Sequence, residues 1–266
     1  MTILGLMGPP AALRDRLEAM VEAVVIGDRW TIHRSDSLAM GDRGWQGGFL
    51  RVGQACAGGD VLPPQLWRPQ FQDLTSAAAV AVNAFPYLWI KADAHGHHRA
   101  ALGRWASDLG VSPAATGACD QLFMTLCRAM APQSPPQKTP QRADDGYGWL
   151  RPTEPWGQDL VPAVELVAQS QGQLAVALGI AHRRHYDRAT TALIGLLVGL
   201  GGGRASLSAE MRQRWLIDYR AAQPDPWVGL TANALTDLAA ALYHRWAGVG
   251  GQPTLSSPSF SLGIRV

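Results

Sequence analysis

The stretch Asp187 to Leu200 constrains the fold more than any other part of this chain: after a polar start it is almost wholly small or apolar, with Gly195 and Gly199 four residues apart. A run of this length and hydropathy reads as a core helix, buried on most sides. Other segments carry the same period. Leu13, Leu17, Met20, Val21 and Val24 recur at helical spacing with Arg14, Asp15, Arg16 and Glu18 between them, which predicts an amphipathic helix after Pro9-Pro10 that ends near Gly27. Asp73, Thr75 and Ser76 precede Ala77–Val82, the signature of a capped, tightly packed helix reaching Ile90, which Pro86 should kink or divide. Further helices are expected at about 49–57, 99–109, 115–130, 160–179, 208–221 and 232–247, and strands have almost no support.

The fold class expected is therefore all-α, a single orthogonal multi-helix domain over residues 1–247, for which a hydrophobic fraction of 47% supplies an ample core. Residues 131–157 are rich in Pro and poor in apolar side chains, and read as a connection across the surface of that domain. Residues 248–266 read as an extended tail.

Charge and cysteine content narrow the function classes. With 23 basic and 21 acidic residues spread along the chain, no footprint for nucleic acid stands out, and no apolar stretch reaches the roughly 18 residues of a membrane span. Cys56, Cys119 and Cys127 lack CxxC spacing and read as ordinary buried thiols of a reducing compartment. Met1–Pro10 lacks the basic region of a signal peptide, so a soluble protein of the cytoplasm is expected, with no nucleic-acid partner and no membrane insertion.

Local motifs offer little chemistry. Asp93, His95, His97 and His98 form the densest group of metal-capable side chains, with His182 and His185 a second pair. Gly96 within the first group points to a polar turn at a helix end, and the second pair belongs to a helix end or loop, so metal is expected at neither. Asp144-Asp145 falls in the Pro-rich connection. No G-x-S-x-G elbow or cysteine with a neighbouring histidine supports acyl transfer. Gly199–Gly203 follows a helix and lacks the Lys-Ser/Thr of a phosphate loop, so it reads as a helix C-terminus. The ten Trp residues are dispersed, as packing residues are.

The small and apolar residues of Asp187–Leu200, its two glycines and the downstream Trp215 resemble the last metal-site helix of the ADP-ribosylglycohydrolase family. In that family the helix opens D-T-D-T, continues A-A-I-x-G-x-L-x-G and is followed by a Trp. The run Ala77 to Trp89, with Asn83-Ala-Phe-Pro86, is similar to an A-x-x-x-x-P segment of its divergent cyanobacterial-type branch, and the resemblance extends loosely over Trp45 to Trp215. It implies the family's all-α fold and a cleft in which Mg²⁺ assists hydrolysis of ADP-ribosyl bonds.

Aligning Gly195 with the family glycine places Tyr186, Asp187, Arg188 and Ala189 on Asp, Thr, Asp and Thr. Both carboxylates are lost, and Arg188 brings a cation to a ligand position. Asp187 stands one residue, roughly 100°, away from either. Neither the family's G-D-x-x-G nor its threonine–aspartate cluster is recognisable: Gly27-Asp28 is followed by Arg29-Trp30-Thr31-Ile32 without the second glycine, and Asp73-Leu-Thr75-Ser76 carries one acid. The resemblance then implies a catalytically degenerate relative, a pseudoenzyme with no catalytic or metal-binding residues and no cofactor. Its binding or structural role would involve a protein partner or an ADP-ribose-like ligand, with Tyr186, Asp187 and Arg188 as pocket candidates, Arg188 and Tyr186 suited to an anion or nucleotide. Two alternatives stand beside it: an active Mg²⁺-dependent hydrolase with a site rearranged around Asp73, Asp93 or Asp187 and the nearby histidines, and a structural subunit of a larger complex.

Overall fold

A computed structural model describes residues 12–34, 44–59, 67–93, 95–131, 160–220 and 225–248, and among them the chain is helical with no strand. The Pro-rich connection and the tail, apart from Ala131 and Gly248, lie outside the described residues, as does Pro9-Pro10. The helices are α1 (Leu13–Arg34), α2 (Trp45–Gly58), α3 (Ala77–Lys91), α4 (Arg99–Leu109), α5 (Pro113–Met130), α6 (Val161–Gln169), α7 (Leu174–Arg183), α8 (Arg188–Gly202), α9 (Ala209–Arg212) and α10 (Ala232–Trp246). Helix starts follow the expected capping chemistry. The side chains of Ser76, Ser112, Asp187, Ser208 and Thr231 each accept a bond from the backbone amide three residues on.

The centre is the pair α1 and α8, which share the most extensive helix contact in the molecule. Glycine permits it. A Cβ on Gly195 would collide with the Ala23 carbonyl, and one on Gly199 would lie 2.7 Å from the Met20 amide nitrogen. Gly27 likewise abuts Thr191, so positions 19, 23 and 27 descend against 199, 195 and 191 and the two helices run antiparallel. α3 packs against α5, α2 and α8, α10 against α1 and α2, and α6 and α7 against α8. One buried apolar cluster runs from Leu17 to Leu242 and draws on both sides of the Pro-rich connection.

Several boundaries differ from the sequence reading. α1 continues past Gly27 to Arg34, because burial against α8 outweighs the roughly 1 kcal/mol that a mid-helix glycine costs. Its polar residues are not a solvated face: Arg16, Glu18, Glu22, Asp28 and Arg29 are all buried. The expected helix 160–179 is two helices, parted at Gln171 and Gly172, both with positive φ. Pro86 lies inside α3 without dividing it. After α9 the chain widens into a π-helical turn, Gln213–Ile217, and the expected helix to 221 stops there.

No single described helix is long and apolar enough to cross a membrane. The segments 188–206 and 209–217 together pass that test of length and composition, but they bend by 115° and α8 is core.

Candidate functional site

Buried charges on α1 must find partners, since an unpaired carboxylate in an apolar interior is costly. Asp28 has no exposed surface. Arg188, the first residue of α8, forks onto it: Nε donates to Oδ1 at 2.7 Å and Nη2 to Oδ2 at 2.6 Å. This side-on geometry fixes the register between the two helices as well as the charge. Trp227 Nε1 donates to Oδ2 at 2.8 Å, and Gln46 Nε2 lies 3.3 and 3.4 Å from the two oxygens. Trp227 is itself buried, edge-on to Trp45 and Phe49, so an aromatic wall seals the carboxylate from water.

The neighbouring Arg29 holds the same wall from the other side. Its Nε donates to Asp225 Oδ2 at 3.1 Å, Nη1 to the Trp215 carbonyl at 2.7 Å and Nη2 to the Trp227 carbonyl at 3.3 Å, with the Tyr219 ring 4.7 Å from its guanidinium carbon. Asp28 and Arg29 together clasp residues 225–227 to the central helix.

Asp187 caps α8, its Oδ1 accepting the Thr190 amide and its Oδ2 the Thr190 hydroxyl, each at 2.8 Å. With Thr190 it lines an open polar pocket of about 220 Å³, whose other walls are Thr75, Ser76, Ala77, Ala78 and Ala114. The first turns of α3, α5 and α8 thus meet here. The remaining pocket candidates are placed elsewhere. Arg188 turns away to Asp28, and Tyr186 is half-buried against the core with its hydroxyl 3.5 Å from Arg184 Nη1.

The residues present do not fit the Mg²⁺ that the family resemblance implies. Mg²⁺ takes about six oxygens in octahedral array. Asp28 is neutralised by a guanidinium that a metal would have to displace inside a sealed interior, and Asp187 bonds its own helix. Asp73 and Asp93 flank opposite ends of α3, whose fifteen residues span about 22 Å, too far to share an ion. Among the described residues no three of His, Cys, Asp and Glu group to hold a metal ion.

The histidine clusters sit at helix ends. Asp93–His98 forms the turn after α3, and His182 and His185 are exposed where α7 ends, His185 with φ 56°. Burial pushes the thiols of Cys56 and Cys119 up to about 12 and that of Cys127 up to about 11, so all three stay protonated at neutral pH. Of the ten Trp, Trp45, Trp67, Trp89, Trp105, Trp215 and Trp227 are buried.

Sequence reasoning singled out both Arg188 and Asp28 but had no means of joining them, 160 positions apart. It missed Gln46 and Trp227 entirely. Neither lies in a motif, and only the fold brings them to Asp28. Comparison with protein-family models, curated proteins and solved structures returns no match to this chain.

Proposed function

We propose that this chain is a catalytically degenerate relative of the ADP-ribosylglycohydrolases that acts by binding rather than by hydrolysis. The observation that carries the reading is the Asp28–Arg188 fork. The family resemblance puts Arg188 on a metal-binding aspartate. The guanidinium gained there meets Asp28, the acid of a Gly-Asp pair that lacks the family's second glycine, as an internal ion pair, a cation supplied by the chain itself where the family uses Mg²⁺.

The fork on Asp28 uses Nε–H and one N–H of Nη2 and neutralises the guanidinium, so Arg188 offers an anion the remaining N–H groups of Nη1 and Nη2 but little net charge, which weakens the case for an anion pocket built from Arg188 and Tyr186. The open pocket beside Asp187 and Thr190 is the better place for a small polar ligand such as ADP-ribose, and a protein partner is the other outcome.

The test is hydrolysis of ADP-ribosyl-arginine by the full chain with Mg²⁺ or Mn²⁺, paired with calorimetric titration of ADP-ribose. Release of ADP-ribose no faster than in the enzyme-free control is expected. Release above that control, lost in D28N, would overturn the degenerate reading. Absence of heat with ADP-ribose would remove that ligand and leave the protein partner.

A further inference from the structure

The turn between α3 and α4 is organised around one carboxylate. Asp93 Oδ1 accepts the amide of His95 at 2.8 Å and that of His97 at 3.3 Å, while Oδ2 lies 3.2 Å from His97 Nδ1. Gly96, with φ 67°, allows the chain to fold back over the carboxylate. Desolvation pushes the Asp93 carboxyl up, but the amides of His95, His97 and Gly96 and the His97 ring together outweigh it and hold it below the usual carboxylate range. With Nδ1 directed at the carboxylate, Nε2 is the His97 ring nitrogen that faces away from it.

That nitrogen belongs to a side chain with 71% of its surface exposed and has no partner among the described residues. The His95 ring lies with its centroid 5.2 Å from that of His97, tilted by 52°. Two neighbouring imidazoles bound to one ion at metal–nitrogen distances of about 2.0–2.1 Å set their centroids roughly 4.5–5 Å apart, from a square-planar to a tetrahedral arrangement. The turn thus holds two imidazoles close to the separation a shared ion requires, one with its Nδ1 directed at a carboxylate, as in histidine ligands of metals.

We propose that His95 and His97 form a surface site for a late first-row transition-metal ion, with Asp93 as the residue that positions His97 and water completing the coordination. The carboxylate is engaged by the turn, so the protein supplies two ligands. Two imidazoles without an anionic oxygen select Cu²⁺ over Ni²⁺ and Zn²⁺ and take no Mg²⁺. This site lies beyond the C-terminal end of α3, away from the pocket at its N-terminal end, and does not depend on the function proposed above.

The experiment is titration of the untagged, metal-free full chain with CuCl₂, followed by calorimetry and by electron paramagnetic resonance for nitrogen coupling. One ion per chain with coupling to imidazole nitrogen is expected. H95A and H97A should each weaken binding tenfold or more with unchanged circular dichroism, and the H182A/H185A variant should bind as the parent does. D93N should weaken binding about tenfold, with partial recovery in D93E. Cu²⁺ bound as tightly by the H95A/H97A double variant as by the parent overturns the site. Unchanged affinity and nitrogen coupling in D93N overturn the part given to Asp93.

Discussion

Two buried carboxylates on α1, Asp28 and Glu22, stand less than two turns apart and are neutralised in opposite ways. Glu22, also without exposed surface, takes two guanidiniums: Arg204 Nη2 at 2.7 Å, and Arg212 with Nε at 2.7 Å and Nη2 at 3.0 Å. Arg204 also reaches Glu18 at 2.8 Å, and its amide bonds Asp15, so an acidic row on α1 shares one basic partner. Both arginines keep about a third of their side chains in water, 29% and 34%. Asp28 instead has a single cation and an indole lid. The Glu22 cluster is a redundant clamp shared by two arginines, whereas the Asp28 cluster is a single lock on a carboxylate without exposed surface, with 21% of the Arg188 side chain in water. Redundancy spreads the cost of losing any one side chain, while a lone fork makes the register of one helix pair depend on a single pair of side chains.

The largest expected effect follows from that difference. R188A strands the Asp28 carboxylate in an apolar interior and should cost about 3–5 kcal/mol, read as a shift of the urea midpoint. The D28N/R188M double variant should recover most of the loss, because no charge is then left unpaired. W227F keeps a ring in the wall but removes a bond to a charged acceptor, and should cost about 1.5–3 kcal/mol. R212A leaves Glu22 its bond to Arg204 and should cost about 1–2 kcal/mol. R14A removes only the half-exposed partner of Glu18 and should cost no more than about 0.5 kcal/mol. A loss in R212A equal to that in R188A would erase the distinction between clamp and lock.

Helix positions were largely legible in the sequence because apolar periodicity and capping residues are local signals: Ser76 before α3 marks a helix start that the structure keeps, and the starts expected at 99 and 232 are those of α4 and α10. Local signals misled where tertiary contact decides. Gly27 looks like a helix stop until α8 is seen lying against it, and Arg16 and Glu18 look solvated until Ala129, whose carbonyl accepts from Arg16 at 2.9 Å, and Arg204 are brought to them. The candidate site was half legible. Register against a family pattern drew attention to Arg188 and to the altered G-D segment, yet their pairing, and the parts of Gln46 and Trp227, depend on three separate helices and a turn closing around one carboxylate.

The pairing pattern of α1 also sets an order of events. Its buried Glu22, Asp28 and Arg29 find their charged partners at Arg204, Arg212, Arg188 and Asp225, each more than 150 residues further along the chain. During synthesis α1 emerges before the other described helices, and beyond the local Arg14–Glu18 pair these charges stay unpaired until the later part of the sequence has been made. The helix at the centre of the finished molecule is among the last to be enclosed, and contacts of such long sequence separation make folding slow. A chain ending before Arg188 should therefore leave α1 open to solvent, with its amides exchanging at rates close to those of the unfolded state.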